Sequence, residues 1–117
     1  MNTINEIAAR LSSLVEKHAF LEAYEELFSE HAESIDPMNK NVPISGRAAL
    51  MERERQFLEN TEIHDLKVAA PSFAGNYFSV TMSFDFTPKD QERRKIEELC
   101  VYKVEKGKIV SQQFFVG

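Results

Sequence analysis

Residues 77–87, Tyr-Phe-Ser-Val-Thr-Met-Ser-Phe-Asp-Phe-Thr, decide the fold, because a large apolar side chain occupies every second position from Phe78 onward. A period of two is typical of a β-strand that buries one face and exposes the other. The stretch is about twice as long as an average strand, so the strand must twist and bend. The side chains predicted to face the core are Phe78, Val80, Met82, Phe84 and Phe86.

Turn signals on both sides of this strand predict a run of hairpins. Ala74-Gly75-Asn76 precedes it, Thr87-Pro88-Lys89-Asp90 follows it, and Glu105-Lys106-Gly107 comes before the last apolar stretch. Glycine, proline and asparagine at these places favour tight connections between antiparallel strands. The predicted strands cover 61–72, 77–87, 92–104 and 108–116, with a short strand at 31–36 expected to join the edge of the sheet.

The first half of the chain has helical periodicity instead. Apolar residues recur at helical spacing in three segments, which predicts helices over 3–17, 19–28 and 46–59. Thr3 followed by Glu6 is a capping-box signature at the start of the first helix. Helices followed by hairpins indicate an α+β fold with a mostly antiparallel sheet. A bent sheet around three helices forms a cone that is hard to fill, so we expect a pocket.

Composition and charge limit the possible functions. The chain has 117 residues, 43% of them hydrophobic and 28% charged, as in one globular domain spanning 1–117. The net charge of −5 argues against nucleic-acid binding, which needs a surplus of basic side chains. We expect no signal peptide and no membrane span. The single cysteine, Cys100, fits a reducing compartment, so we expect a cytoplasmic location.

Two segments resemble a known family. Residues 27–37, Leu-Phe-Ser-Glu-His-Ala-Glu-Ser-Ile-Asp-Pro, and residues 44–50, Ile-Ser-Gly-Arg-Ala-Ala-Leu, are similar to those of the nuclear transport factor 2-like superfamily. Within it, the chain resembles the SnoaL-like polyketide cyclases and ketosteroid isomerases, and the order of elements extends the resemblance over nearly all of it. The resemblance implies a cone-shaped, cystatin-like α+β barrel, with three N-terminal helices packed in a curved mixed, mostly antiparallel sheet.

Asp36 matches the position of the catalytic base in the isomerases of this family. Alternation in the strand 31–36 places Ser34 and Asp36 on the face expected to be concave. A carboxylate at the mouth of an apolar cavity can move a proton next to a carbonyl. The alternative is structural, because an aspartate before proline often caps backbone N–H groups in a turn. The family's two hydrogen-bond donors have no match here, since their counterparts fall near Ser12 and at Cys100 or Leu99.

Other polar residues are candidates for the partner of Asp36. If the charged positions of the strand 92–104 face water, then Glu98, Cys100 and Tyr102 point inward. His64 shares parity with Leu66 and could exchange a proton inside the cavity. Arg47 and Glu54, two turns apart on the third helix, are interpreted as an ion pair at the rim. The further residues expected to line the pocket are Ser34, Tyr24, Phe57, Phe78, Val80, Met82, Phe84 and Cys100.

Two functions therefore stay open. The first is a pocket for a small apolar or polyketide-like molecule, with cofactor-free isomerisation or cyclisation through Asp36 and with His64, Tyr102 or Glu98 as its partner. The second is a non-catalytic ligand-binding or association module that forms a homodimer through the outer sheet face, using Leu99, Val101, Phe114 or Val116. Neither function needs a cofactor, and the three histidines lack the spacing of a zinc site, so we expect no metal.

Overall fold

The computed structural model describes residues 3–117, and it contains three helices and seven strands in that range. Two strands lie between the second and the third helix, and the other five strands follow the third helix. Their bounds agree with the predicted helices to within a residue or two. The elements are α1 (Ile4–Glu16), α2 (Phe20–Leu27), β1 (Phe28–Ile35), β2 (Ile44–Ser45), α3 (Arg47–Glu59), β3 (Thr61–Val68), β4 (Ser72–Ala74), β5 (Tyr77–Pro88), β6 (Arg94–Glu105) and β7 (Lys108–Val116).

The strands form one mixed sheet in the order β2-β1-β7-β6-β5-β3, with β4 paired to β5. All pairs are antiparallel except β1 with β7. The three helices pack on one face of this sheet, so the α+β class and the mostly antiparallel sheet are confirmed. The sheet is not closed into a barrel, since β2 and β3 end the order at opposite edges. In the described part of the chain, no helix is long and apolar enough to cross a bilayer.

The strongest local signals of the sequence appear as expected. Thr3 accepts from the backbone N–H of Glu6 at 3.2 Å, and the Glu6 carboxylate accepts from the N–H of Thr3 at 2.9 Å. The capping box is thus formed, and the apolar stripe of α1 lies in the core. Lys106 and Gly107 both have positive φ, as a two-residue turn between twisted strands requires.

Strand β5 buries one face, as the alternation predicts. Phe78, Val80 and Phe86 are at most 2% exposed, and Met82 is 6% exposed. The residues opposite Phe78, Val80 and Met82 on β6 are also inward, because facing residues of an antiparallel pair share a side of the sheet. Glu98, Cys100 and Tyr102 are the inward residues at the centre of β6, which confirms the predicted parity of that strand.

The strand expected at the edge over 31–36 is β1, which spans Phe28–Ile35 and pairs with an unpredicted edge strand, β2. The largest difference from the predicted strands lies further along the chain. The strand expected over 61–72 is divided into β3 and β4 at residues 69–71, which include Pro71. Its register with β5 also shifts between Ile63 and Asp65, a β-bulge that breaks the alternation. Proline cannot donate to the sheet, and a bulge adds a residue to one strand only, so strict parity fails along this segment.

Candidate functional site

A cavity of about 190 Å³ lies between the helices and the inner face of the sheet. Its walls are mostly apolar and come from every layer of the fold. Polar groups occupy one region, where α2, α3, β6, β7 and the end of β1 meet. The polar residues are Tyr24, Ser34, Asp36, Arg53, Glu54, Glu98, Tyr102 and Gln112.

Asp36 lies at the end of β1, where extended backbone leads into a single turn of 3₁₀ helix that starts at Pro37. One carboxylate oxygen, Oδ1, accepts from the backbone N–H of Met38 at 2.8 Å. The other, Oδ2, is 3.9 Å from the Arg53 guanidinium, which is too far for a direct hydrogen bond. Asp36 therefore caps the turn through Oδ1 and also lines the cavity. Its Oδ2 has no hydrogen bond within residues 3–117 and is free to act in chemistry.

A buried hydrogen-bond network joins three residues of the polar region. The side-chain amide of Gln112 donates to the Tyr24 hydroxyl at 2.9 Å and to the Ser34 hydroxyl at 3.0 Å. Ser34 and Gln112 are each 4% exposed. Since Tyr24 accepts from Gln112, its own proton stays free for another acceptor, and the nearby Tyr24 hydroxyl favours the ionised form of Glu54. The network fixes the positions of polar groups from three different elements.

Glu54 is placed in the cavity by the apolar stripe of α3, between Leu50 and Phe57. Burial raises the pKa of Glu54 to about 7, and the nearby carboxyls of Glu98 and Asp36 add to this increase. Arg53 and the Tyr24 hydroxyl act in the opposite direction, because they favour the ionised form. Glu54 can therefore hold or release a proton near neutral pH.

Glu98 reaches the same region from β6, where it lies opposite Met82 of β5. Burial raises the pKa of Glu98 to about 7, and the negative charge of Asp36 contributes to the increase. Its carboxyl forms no hydrogen bond or ion pair with another side chain among residues 3–117. A carboxyl in this setting stays protonated below neutrality and can act as a hydrogen-bond donor.

Tyr102 is a buried aromatic residue of the polar region. Its ring stacks on Phe78, with ring centroids 4.9 Å apart, and Phe28 packs against it edge-on at 6.5 Å. The residue is 2% exposed, and burial raises the pKa of its hydroxyl well above the ordinary value. The hydroxyl therefore stays protonated and can donate to a ligand in the cavity.

The structure brings together most of the predicted site residues. Asp36, Glu98 and Tyr102 all line the cavity. Five of the other predicted lining residues also border it: Ser34, Tyr24, Phe57, Met82 and Phe84. Phe78, Val80 and Cys100 do not line the cavity, although all three face inward. They are at most 2% exposed because they lie where the helices pack directly on the sheet, so they belong to the solid core.

The placement predicted for His64 is wrong. The bulge between Ile63 and Asp65 turns this histidine to the exposed side of β3. Its Nε2 is 2.7 Å from the Thr87 hydroxyl on the neighbouring strand. His64 therefore takes no part in the cavity.

The predicted ion pair between Arg47 and Glu54 is also wrong. Arg47 donates to the carbonyl of Phe28 at 3.1 Å and lies 4.0 Å from Glu30. The sequence interpretation thereby missed Glu54 as a cavity residue, together with Arg53 and Gln112. The signal for Glu54 was present, since this residue lies on the apolar stripe of α3, where a carboxyl has to face the interior.

Three carboxyl groups in one cavity raise the question of a metal ion. Across residues 3–117, no group of three or more histidine, cysteine, aspartate or glutamate side chains has the geometry to hold one. Asp36, Glu54 and Glu98 influence one another through their charges, but they do not converge on a common point as ligands do.

Comparison with known proteins gives the family. The SnoaL-like domain family matches residues 2–116. A candidate SnoaL-like polyketide cyclase from Mesorhizobium loti is 30% identical, with a TM-score of 0.88 over 97% of this chain and 98% of that one. No curated protein matches the chain by sequence.

More distant solved structures share the fold alone. A protein with a ketosteroid isomerase-like fold from Catenulispora acidiphila, in complex with trimethylamine, is 13% identical, with a TM-score of 0.77 over 94% of this chain and 84% of that one. An NTF2-like protein of unknown function from Burkholderia xenovorans is 15% identical, with a TM-score of 0.75 over 97% and 82%. The chain belongs to the SnoaL-like domain family, within the nuclear transport factor 2-like fold.

Proposed function

We propose that this chain is a cytoplasmic protein that binds a small molecule and catalyses a cofactor-free proton transfer next to a carbonyl, as in isomerisation or cyclisation. The observation that carries the proposal is that Asp36, Glu98 and Tyr102 all line one apolar cavity, with Asp36 close enough for its charge to raise the pKa of Glu98. The family resemblance at Asp36 supports the same role. The buried free thiol of Cys100 supports a reducing location.

The three side chains have complementary roles in this reaction. Oδ2 of Asp36 removes the proton from the carbon next to the carbonyl, while the Met38 N–H holds Oδ1 and so fixes the carboxylate plane. Negative charge then develops on the carbonyl oxygen. Tyr102 and protonated Glu98 donate hydrogen bonds to that oxygen, which lowers the barrier. Asp36 returns its proton to another carbon of the enolate, and no cofactor is consumed.

The cavity volume limits the substrate. Drug-sized ligands occupy pockets of roughly 300–1,000 Å³, whereas this cavity measures about 190 Å³. We therefore infer a substrate with a single ring or a short chain. The trimethylamine complex of the Catenulispora protein supports a ligand of this size in this fold.

The direct test is the conversion of cyclohex-3-enone to its conjugated isomer, followed by ultraviolet absorbance. We expect the protein to accelerate the conversion over buffer. Tyr102→Phe should slow it about fivefold, because one neutral hydrogen bond contributes about 1 kcal/mol and Glu98 remains as a donor.

Tyr77→Phe is the matched control, since Tyr77 is 44% exposed and does not border the cavity. It should leave the rate unchanged. A protein that fails to accelerate this and other single-ring enones would contradict the proposed activity. Equal slowing by both tyrosine variants would remove Tyr102 from the mechanism.

A homodimer is a second proposal, supported by an exposed apolar pair on the outer face of the sheet. Leu99 and Phe115 face each other across β6 and β7, and they are 44% and 49% exposed. Val101 lies partly exposed on the same side. Phe114, expected at the same interface, turns inward and lines the cavity instead. Adjacent exposed apolar residues on a sheet favour association with another sheet.

We expect sedimentation velocity at micromolar concentration to show a dimer that Leu99→Glu converts to a monomer. A buried charge without a partner opposes such an interface. Val42→Glu is the control, because Val42 is 58% exposed in a loop away from that face. A wild-type monomer, or a dimer that withstands Leu99→Glu, would argue against this interface.

A further inference from the structure

We infer that the ligand of the cavity is a small organic cation, such as an amine-bearing carbonyl compound, whose positive charge lies against Glu54 and whose carbonyl oxygen meets the hydroxyl of Tyr102 and the protonated carboxyl of Glu98. This inference rests on the proposed function and adds the chemical class of the substrate to it.

The first support is the charge of the cavity wall. Three carboxyl groups border the cavity, whereas Arg53 is the one basic residue among its lining side chains from the described part of the chain. Arg53 lies beside Asp36, and Asp36 also has the Met38 N–H. Arg53 also acts on Glu54, so one guanidinium serves two carboxyls, and the acidic pair of Glu54 and Glu98 has no cation of its own. A positive group on the ligand would supply one.

The second support is independent of the carboxyls. Tyr102 is 2% exposed and borders the cavity, and within residues 3–117 its hydroxyl has the thiol of Cys100 beside it but no hydrogen bond to a nitrogen or oxygen. The neighbouring Tyr24 hydroxyl, by contrast, accepts from Gln112. Sulfur is a weak hydrogen-bond partner, so a hydroxyl at a cavity wall with only a thiol beside it favours a polar ligand.

The third support is the aromatic lining. Phe57, Phe84 and Phe86 form a cluster on the cavity wall, with ring centroids between 4.6 and 6.1 Å apart. Ring faces attract ammonium groups, most strongly where water is excluded. A neutral apolar ligand would use these rings but not the acidic pair, and an anion would be repelled by the pair. A small cation uses both.

The test compares two molecules of nearly the same shape. Choline carries a permanent positive charge, and 3,3-dimethylbutan-1-ol replaces its nitrogen with carbon. We expect NMR titration of the wild-type protein to show choline binding at least about tenfold tighter. Glu54→Gln should remove most of that preference without changing the affinity for the alcohol. Glu59→Gln, an exposed position on the same helix, is the matched control and should change neither.

Because the charge of choline is permanent, any pH dependence of its binding comes from the protein. The groups that face the acidic pair are Asp36, Arg53, Tyr24, Tyr102 and Cys100. Burial raises the pKa of both tyrosines and of the cysteine, so these three stay neutral. Affinity for choline should therefore rise as pH increases through about 7, where Glu54 ionises.

The outcomes separate this inference from the proposed function. If both molecules bind equally well, or the alcohol binds more tightly, the cation is excluded while the small-molecule cavity stands. If neither binds while cyclohex-3-enone is still converted, the cation is again excluded and the catalytic proposal stands. If neither binds and no conversion occurs, both proposals are wrong. Glu54→Met repeats the test if Glu54→Gln alters the fold.

Discussion

Replacing Asp36 with asparagine should reduce the conversion of cyclohex-3-enone by about 100- to 10,000-fold, the usual contribution of a positioned general base. The side-chain amide has the same shape as the carboxylate, and its carbonyl oxygen can still accept from the Met38 N–H. The turn after β1 is therefore preserved, so folding should be unchanged. The amide nitrogen cannot take up a proton, and the first step of the reaction is lost.

The measurement is the initial rate at several substrate concentrations, together with a thermal unfolding curve for each protein. Asp65→Asn is the matched control, because Asp65 is 59% exposed on β3 and does not border the cavity. It should retain the full rate. A fall in kcat without a fall in stability at Asp36 supports the base. An Asp36→Asn protein that is as active as the wild type would show that another group removes the proton.

The double replacement Glu54→Gln/Glu98→Gln should make the protein more stable, by about 2–4 kcal/mol at about pH 8. Each carboxyl has an ordinary pKa of 4.5 and a pKa of about 7 in the folded chain. One unit of difference corresponds to about 1.36 kcal/mol. Part of the increase at Glu54 comes from the charge of Glu98, and a buried glutamine amide has its own cost of burial, so the expected gain is less than the simple sum.

The direction in which the free energy of unfolding changes with pH follows from the number of protons that each state binds. Between pH 4.5 and about 7 the folded protein holds more protons than the unfolded chain, so the free energy of unfolding decreases as pH rises through this range. Above it, both states are ionised and the penalty is fully present. Below it, both states are protonated and the penalty vanishes. The stabilisation by glutamine should therefore disappear at about pH 4.

Urea unfolding at several pH values measures the effect, with Glu59→Gln as the control on α3. The exposed Glu59 should show no such pH-dependent gain. A double variant that is equally stable or less stable at high pH would mean that the acidic pair is not penalised by burial. A gain confined to high pH would indicate two carboxyls that are kept at a cost in stability, which is typical of functional sites.

Local patterns in the sequence determined most of the architecture. The alternation in β5 identified the buried face of the longest hairpin, because a strand with one face in the core has a period of two. Thr3 and Glu6 identified the start of α1, because the capping box is made within one turn of helix. The inward parity of Glu98 and Tyr102 followed from the same alternation on β6.

Only the tertiary structure decided which inward side chains border the cavity. Phe78 and Tyr102 both point inward, yet Phe78 lies in the solid core and Tyr102 also lines the cavity. His64 left the expected face because of a one-residue bulge, and Glu54 entered the cavity through the packing of α3. Periodicity in a sequence gives the face on which a side chain lies. The distance between packed layers, which determines where space remains, depends on contacts between residues far apart in the chain.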